Sequence, residues 1–274
     1  MKRTSIFTLL LTSSVLAMAQ GTPVAVSLEA EAGAVKVLYH TYQVGATGYN
    51  FDFVNNGGQE ILYPFQRFTA TAGISDRHQV KFLYQPLTVV TGITAKESFN
   101  IDTVTFLAGE PVNVVYGFPF YRTTYLYDFI EGDANLSAGA AIQLRNASIR
   151  FTSADGSKRA VSQNLGIVPA VALAGKLPFD DGLFVGFEAT GLYASSAFIN
   201  GADFVFEGSI LDASLRAGAR IDERTEAFIN VRFLGGSAKG TSEYPSLYWT
   251  QSTEKYTANY LATLTVTLGA TLEL

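Results

Sequence analysis

The sequence predicts an all-β fold: a transmembrane, antiparallel up-and-down β-barrel of ten strands, with eight and twelve as the neighbouring even counts. Three observations carry this. The last nineteen residues, YTANYLATLTVTLGATLEL (256–274), alternate. Tyr256, Ala258, Tyr260, Ala262, Leu264, Val266, Leu268, Ala270, Leu272 and Leu274 share one face, and a row of threonines with Asn259 and Glu273 dominates the other. A side-chain period of two is a β-strand, and the run exceeds the ~9–11 tilted residues that cross a bilayer. A soluble strand is usually ~5–6 residues long. The second observation is composition: 16% charged residues, against ~25% in soluble domains, with 20 Phe, 14 Tyr and 25 Gly. The third is that no segment offers 18 consecutive apolar residues, which excludes helical spanning.

In chain order, residues 1–19 read as a signal peptide. Lys2 and Arg3 form a positive start, an apolar stretch begins at Ile6, and Ala17-Met18-Ala19 is an A-x-A cleavage site. The barrel then occupies 20–274, and losing Lys2 and Arg3 takes the formal net charge from −5 to −7. Four tight turn signals follow, at 75–77, 131–135, Asp180-Asp181-Gly182 and 222–225. Long irregular stretches separate them, near 42–64, 88–111, 153–163, 195–207 and 237–254. Spanning barrels have short turns at one end and long loops at the other. Four turns and five loops give ten strands, an even number.

Each strand has a phase. In the first, near 26–40, Leu28, Ala30, Ala32 and Ala34 oppose Glu29, Glu31 and Gly33, and the alternation blurs after Lys36. The second (65–74) and third (78–88) point Phe68, Ala70, Phe82 and Tyr84 outward, and Arg67, Lys81 and Gln85 inward. The stretch 88–111 reads as a protruding hairpin, Val89 to Ala95 against Phe99 to Leu107. The fourth strand (112–130) turns Tyr121, Tyr125 and Phe129 outward, with Arg122 and Asp128 inward; Tyr116, Phe118 and Phe120 then face in, above Pro119. In the fifth (136–152) the apolar residues change parity at Ala147, Ile149 and Phe151, which predicts a bulge near Asn146. The sixth to ninth strands (164–177, 183–194, 209–221, 226–236) keep one phase each, with Leu173, Val185, Leu215 and Val231 outward. Charges fall on the opposite parity, as expected where Arg facing mid-bilayer lipid would cost ~2–4 kcal/mol.

The inward set near mid-depth is Arg122, Arg145, Arg216 and Arg232 with Glu188 and Asp212. This predicts a charge-paired lumen plug, since buried charges need partners; an anion-binding site is the sharper alternative. No catalytic, cofactor-binding or metal-ligating set is expected. Cysteine is absent, and His40 and His78, the two histidines, lie far apart without a metal motif. His40 is the one candidate base for a hydrolase, but a surface histidine is the expected reading. The acidic balance without basic clusters argues against nucleic acid. In the last long loop Tyr244, Tyr248 and Trp249 are candidate extracellular contacts, for lipid or for another envelope molecule.

The signal peptide, the alternating strands and the terminal strand ending at Leu274 resemble the small outer-membrane β-barrel proteins of Gram-negative bacteria. The family's assembly signal usually ends in an aromatic residue, and this chain ends Leu272-Glu273-Leu274. The resemblance implies a bacterial outer-membrane location, contact with outer-membrane lipid, and recognition by the barrel-assembly machinery through the C-terminal strand. It implies no activity. The expected function is a non-enzymatic barrel with a charge-plugged lumen, structural or contacting ligands through its loops. A narrow channel for small or hydrophobic solutes and an outer-membrane lipid or peptide hydrolase are the alternatives.

Overall fold

The alternation in the sequence becomes fifteen strands in a computed structural model, which describes residues 24–130, 134–195, 206–243 and 255–274. The expected signal peptide and the contacts at Tyr244, Tyr248 and Trp249 lie outside the described residues. The strands are β1 (Val24–Val44), β2 (Asn50–Asp52), β3 (Leu62–Ile74), β4 (His78–Gln85) and β5 (Thr88–Thr94). A small hairpin, β6 (Phe99–Ile101) and β7 (Val104–Phe106), precedes β8 (Pro111–Gly117) and β9 (Phe120–Asp128). Then come β10 (Asn135–Ser153), β11 (Arg159–Pro178), β12 (Leu183–Ser195), β13 (Phe206–Arg220), β14 (Thr225–Glu243) and β15 (Lys255–Glu273).

Ten staves close into a barrel. Each of β10 to β15 pairs antiparallel with the next, β15 returns to β1, and β1, β3, β4, β9 and β10 complete the circuit. The closing seam runs from Ser27↔Glu273 to Val44↔Thr257. Two staves are broken: β4 and β5 by Pro86-Leu87, and β8 and β9 by Phe118-Pro119, since proline cannot donate to a ladder. Among the described residues, short turns lie where Gly and Ser permit them; Ser75 and Gly182 have φ of 61° and 81°, and most of the turn expected at 131–135 lies outside the described residues. Outward side chains form an apolar surface, with Ile167, Leu215 and Leu268 each about 70% or more exposed. Only lipid covers such a belt favourably. Among the described residues no helix is long and apolar enough to cross a membrane.

Two local expectations are corrected, and a blurred phase is explained. First, β10 carries no bulge at Asn146. Its pairing with β11 runs without a shift from Asn135↔Lys176 to Thr152↔Arg159. Ala141, Gln143, Ala147, Ile149 and Phe151 keep one inward parity, and the last three are buried because the outer half of the lumen is itself apolar. Second, 88–111 is not one hairpin. Val89 to Thr94 continue the third stave and pair with Pro111 to Tyr116, while β6 and β7 turn back on each other at Asp102, whose φ is 56°. Third, the blurred phase of β1 is a bulge: register shifts between Val37 and Tyr39, leaving Leu38 and Tyr39 both exposed. Below it Glu31, Val35 and Val37 face inward; above it His40, Tyr42 and Val44 do.

The wall also divides near its outer end. β3 pairs with β4 only from Phe68↔Tyr84 down to Ile74↔His78, and β5 pairs only with β8. Segment 53–60 fills this split. Asp52 starts it with an Asx turn, its Oδ1 accepting from the amides of Val54 and Asn55 at 2.8 and 2.9 Å. Thr91 Oγ1 then donates to Gly57 O, Tyr63 OH to Gly58 O, and Lys36 Nζ to Glu60 O.

Candidate functional site: the barrel lumen

The parity that sends apolar residues to lipid sends polar ones to the axis, where they stack in layers. At the turn end, inward Phe184 and Phe228 are buried under cations: Lys176 Nζ lies 4.5 Å from the Phe184 ring, and the Arg216 guanidinium 4.6 Å from the Phe228 ring. Lys176 is also paired to Glu226 at 2.5 Å.

Above this floor sits a charge layer. Asp212, on β13, is 1% exposed and accepts from three guanidiniums. Arg122 Nη1 is 2.8 Å and Arg67 Nη1 3.2 Å from its Oδ2, and Arg232 Nη1 is 2.7 Å from its Oδ1. Glu188 Oε1 accepts from Lys81 Nζ at 2.9 Å, and its Oε2 lies 3.4–3.7 Å from Arg216, Arg232 and Arg67. Glu31 accepts from Thr267 Oγ1 at 2.6 Å and Asn230 Nδ2 at 2.7 Å, with Arg67 Nε 3.5 Å away. Glu29 accepts from Arg216 Nη1 at 2.6 Å, and Arg122 donates its remaining N–H groups to Gln143 Oε1 at 2.8 and 3.0 Å.

Of the sequence-predicted network, Arg122, Glu188, Asp212, Arg216 and Arg232 therefore meet. The side chain of Arg145 lies outside what the structure describes; its backbone pairs with Phe120 and Gly166. Glu29, Glu31, Arg67 and Lys81, outside the mid-depth set expected from the sequence, also join the layer. Strand tilt places residues of different nominal depth at one height, a shift that residue counting along single strands does not reveal.

Above the charges the lumen becomes aromatic. His40 is fully buried, not at the surface as expected. The bulge at Leu38 turns it inward, where it stacks on Phe53 at 3.9 Å and meets Tyr116 edge-on at 4.2 Å. Its Nδ1 pairs with Gln59 Oε1 at 2.8 Å. Phe51, Phe99, Phe106 and Phe151 extend the cluster beneath segment 53–60 and the small hairpin. Among the described residues no hydroxyl or carboxylate is hydrogen-bonded to His40. His78 lies at the other end of the barrel, its Nδ1 2.7 Å from Tyr125 OH. Among the described residues no group of three His, Asp or Glu side chains gathers to hold a metal ion.

At the outer rim, Glu110 accepts from Lys158 Nζ at 2.6 Å and from the Leu107 amide at 2.8 Å. These bonds, the lysine's first, hold its carboxyl below the usual range. Asp155 accepts from Ser153 Oγ at 2.6 Å and from Ser157 N and Oγ, and is held down at about 2.

No family model and no curated protein matches the chain. Solved structures do. The outer membrane protease OmpT from Escherichia coli aligns over 91% of this chain and 97% of its own, with a TM-score of 0.57 and 7% identity. Ail, the attachment invasion locus protein of Yersinia pestis, covers 91% and 99% at TM-score 0.34 and 8% identity. A Pseudomonas aeruginosa FadL homologue covers 93% and 91% at TM-score 0.36 and 10% identity. The closed ten-stave wall, its lipid-facing belt and the first of these likenesses define the class: the chain has the fold of the Gram-negative outer-membrane β-barrel proteins. At these identities the likeness is one of fold and carries no activity with it.

Proposed function

We propose that the protein is a non-enzymatic outer-membrane barrel whose lumen is closed by its own charges, and that it acts through its extracellular end. One observation carries this reading: a single buried carboxylate, Asp212, ties together guanidiniums from β3, β9 and β14 across the axis. Eight strands leave an interior that side chains just fill, whereas aqueous pores use about 16–18. Ten staves holding five long cations and four carboxylates at one depth support a closed lumen over an open water column. The burial of His40, with an amide as its hydrogen-bond partner, supports the absence of hydrolytic chemistry.

Reconstituted in a planar bilayer, the protein is expected to show negligible steady conductance. Large, stable single-channel steps from the unmodified protein would overturn the reading and favour a solute channel.

A further inference from the structure

The ion-paired layer is not balanced. Among the described residues it gathers five cations, Arg67, Lys81, Arg122, Arg216 and Arg232, around four carboxylates, Glu29, Glu31, Glu188 and Asp212. The carboxylates are already shared. Asp212 serves three guanidiniums, and Glu188 has Lys81, Arg216, Arg232 and Arg67 within 3.7 Å. Asp128, buried nearer the turns, accepts from the amides of Ile130 and Leu136. Hydrogen-bond donors are in surplus as well. Gln85 and Gln143 spend their carbonyl oxygens on Arg67 and Arg122. Both Nε2 amides are left buried without a partner among the described residues, as is Arg67 Nε. Buried charge and buried donors in that state are unfavourable, and an added anion relieves both. There is room for one beside these cations. On the turn side of Arg67 and Arg122 a half-enclosed cavity of about 30 Å³ is bounded by β3, β4, β9, β11 and β12. Ala172 and Ala174 turn inward there, and their short side chains make the space. Arg67, Lys81 and Arg122 line it with the hydroxyl-bearing Thr69, Thr124 and Thr190; Glu188 is the one carboxylate in the lining. A water molecule needs about 10–15 Å³ of such volume, so the cavity suits a monatomic ion and excludes phosphate, carboxylic acids and rings.

We propose that this cavity binds a single halide ion, chloride under ordinary conditions, as the fifth negative charge of the layer. Its ligands are Lys81 Nζ, guanidinium N–H groups of Arg67 and Arg122, and threonine hydroxyls, all of which donate. Of the five N–H groups on the Arg122 guanidinium, three bonds go to Gln143 and Asp212, and the rest remain for the ion. Glu188, the repulsive neighbour, has its charge met by the four cations around it. This inference rests on the closed-lumen reading, because the ion completes the plug that closes the lumen.

Crystals of the detergent-solubilised protein soaked in bromide test the site directly, since bromide scatters anomalously. One peak is expected in the cavity, within hydrogen-bonding reach of Lys81 and the two arginines. Thermal unfolding supplies the solution counterpart. As chloride replaces gluconate at constant ionic strength, the midpoint is expected to rise with the logarithm of chloride concentration, because gluconate is too large to enter. Ala172→Leu fills the cavity and is expected to abolish that dependence. Thr124→Val, of the same shape without the hydroxyl, is expected to weaken the apparent halide affinity about three- to tenfold. No peak in the cavity, equal midpoints in chloride and gluconate, or an undiminished dependence in Ala172→Leu would each overturn the proposal and leave the cavity to water. Should Ala172→Leu fail to fold, the bromide map and Thr124→Val decide, since unchanged affinity in the latter would refute the site. Conductance of the same preparation separates the two readings. Channel steps refute the closed lumen, whereas an empty map without conductance refutes the halide alone.

Discussion

Asp212 is the residue on which the lumen turns. Removing it leaves Arg67, Arg122 and Arg232 facing one another without their common acceptor. Breaking a buried pair from one side typically costs about 3–5 kcal/mol, so Asp212→Ala should lower the temperature at which the folded form loses its fast gel mobility. Lys81, part-exposed and paired with Glu188, makes the control: Lys81→Met should cost under about 1 kcal/mol. A smaller loss for Asp212→Ala than for Lys81→Met would contradict this ranking. His40 is the second such position. Its ring fills the space between Phe53 and Tyr116, so His40→Ala should destabilise by roughly 2–4 kcal/mol through lost packing and a stranded Gln59 amide. Any lipid or peptide hydrolysis measured for the protein should survive that change; its selective loss in a folded variant would establish the enzyme alternative. The burial of His40 was not legible in the sequence, because one bulge upstream inverts the parity from which its direction would be read.

Among elements, β1 and β10 mark what an alternating pattern can and cannot convey. In both, apolar residues occupy one parity below mid-depth and the other above it. In β1 the backbone shifts at Leu38 and the even residues turn inward. In β10 nothing shifts, and the lumen's own character changes from charged to aromatic around Phe151. Apolar periodicity identifies a strand in either case; it does not identify which side holds lipid once both sides are apolar. Deleting Leu38, the extra residue, should give β1 one continuous register with β15 and leave His40, Tyr42 and Val44 facing inward. The expected outcome is a chain that still gives the heat-modifiable folded band, and its loss would contradict this reading of the bulge. The rim clasp makes a different prediction. Asp155 and Glu110 have carboxyls lowered by their hydrogen bonds, so the stability they lend is fully present above the unfolded values near 4. It is lost as pH falls through the folded ones, about 2 for Asp155. The amides of Leu107 and Ser157, bonded to these carboxylates, should exchange faster at pH 2 than at pH 4 after correction for intrinsic rates. The Ala154 amide, bonded to Pro111 O, should not.

At the scale of the whole molecule the stave count was readable because turns and loops alternate in length, and each stave needs only a period of two. The outer rim was less readable, since segment 53–60 and the β6–β7 hairpin are held by contacts between loops rather than by any repeating pattern. The belt predicts that the protein refolds in detergent or lipid into a β-rich, heat-modifiable form, and a monodisperse folded protein in detergent-free buffer would contradict it. The charge layer has a further consequence, for the order of events in biogenesis. Of its ten ion pairs among the described residues, six join a residue from β1–β9 to one from β12–β14; Arg122 with Asp212 and Arg216 with Glu29 are two of them. A nascent sheet holding only the first five staves therefore keeps Arg67, Lys81 and Arg122 hydrated, with Glu31 as the one acidic partner of the three. Water leaves those groups in a single late event, when the first and last strands meet. Seam closure is thus the commitment point of folding, and the same event that ends the search for partners makes the finished wall difficult to reopen.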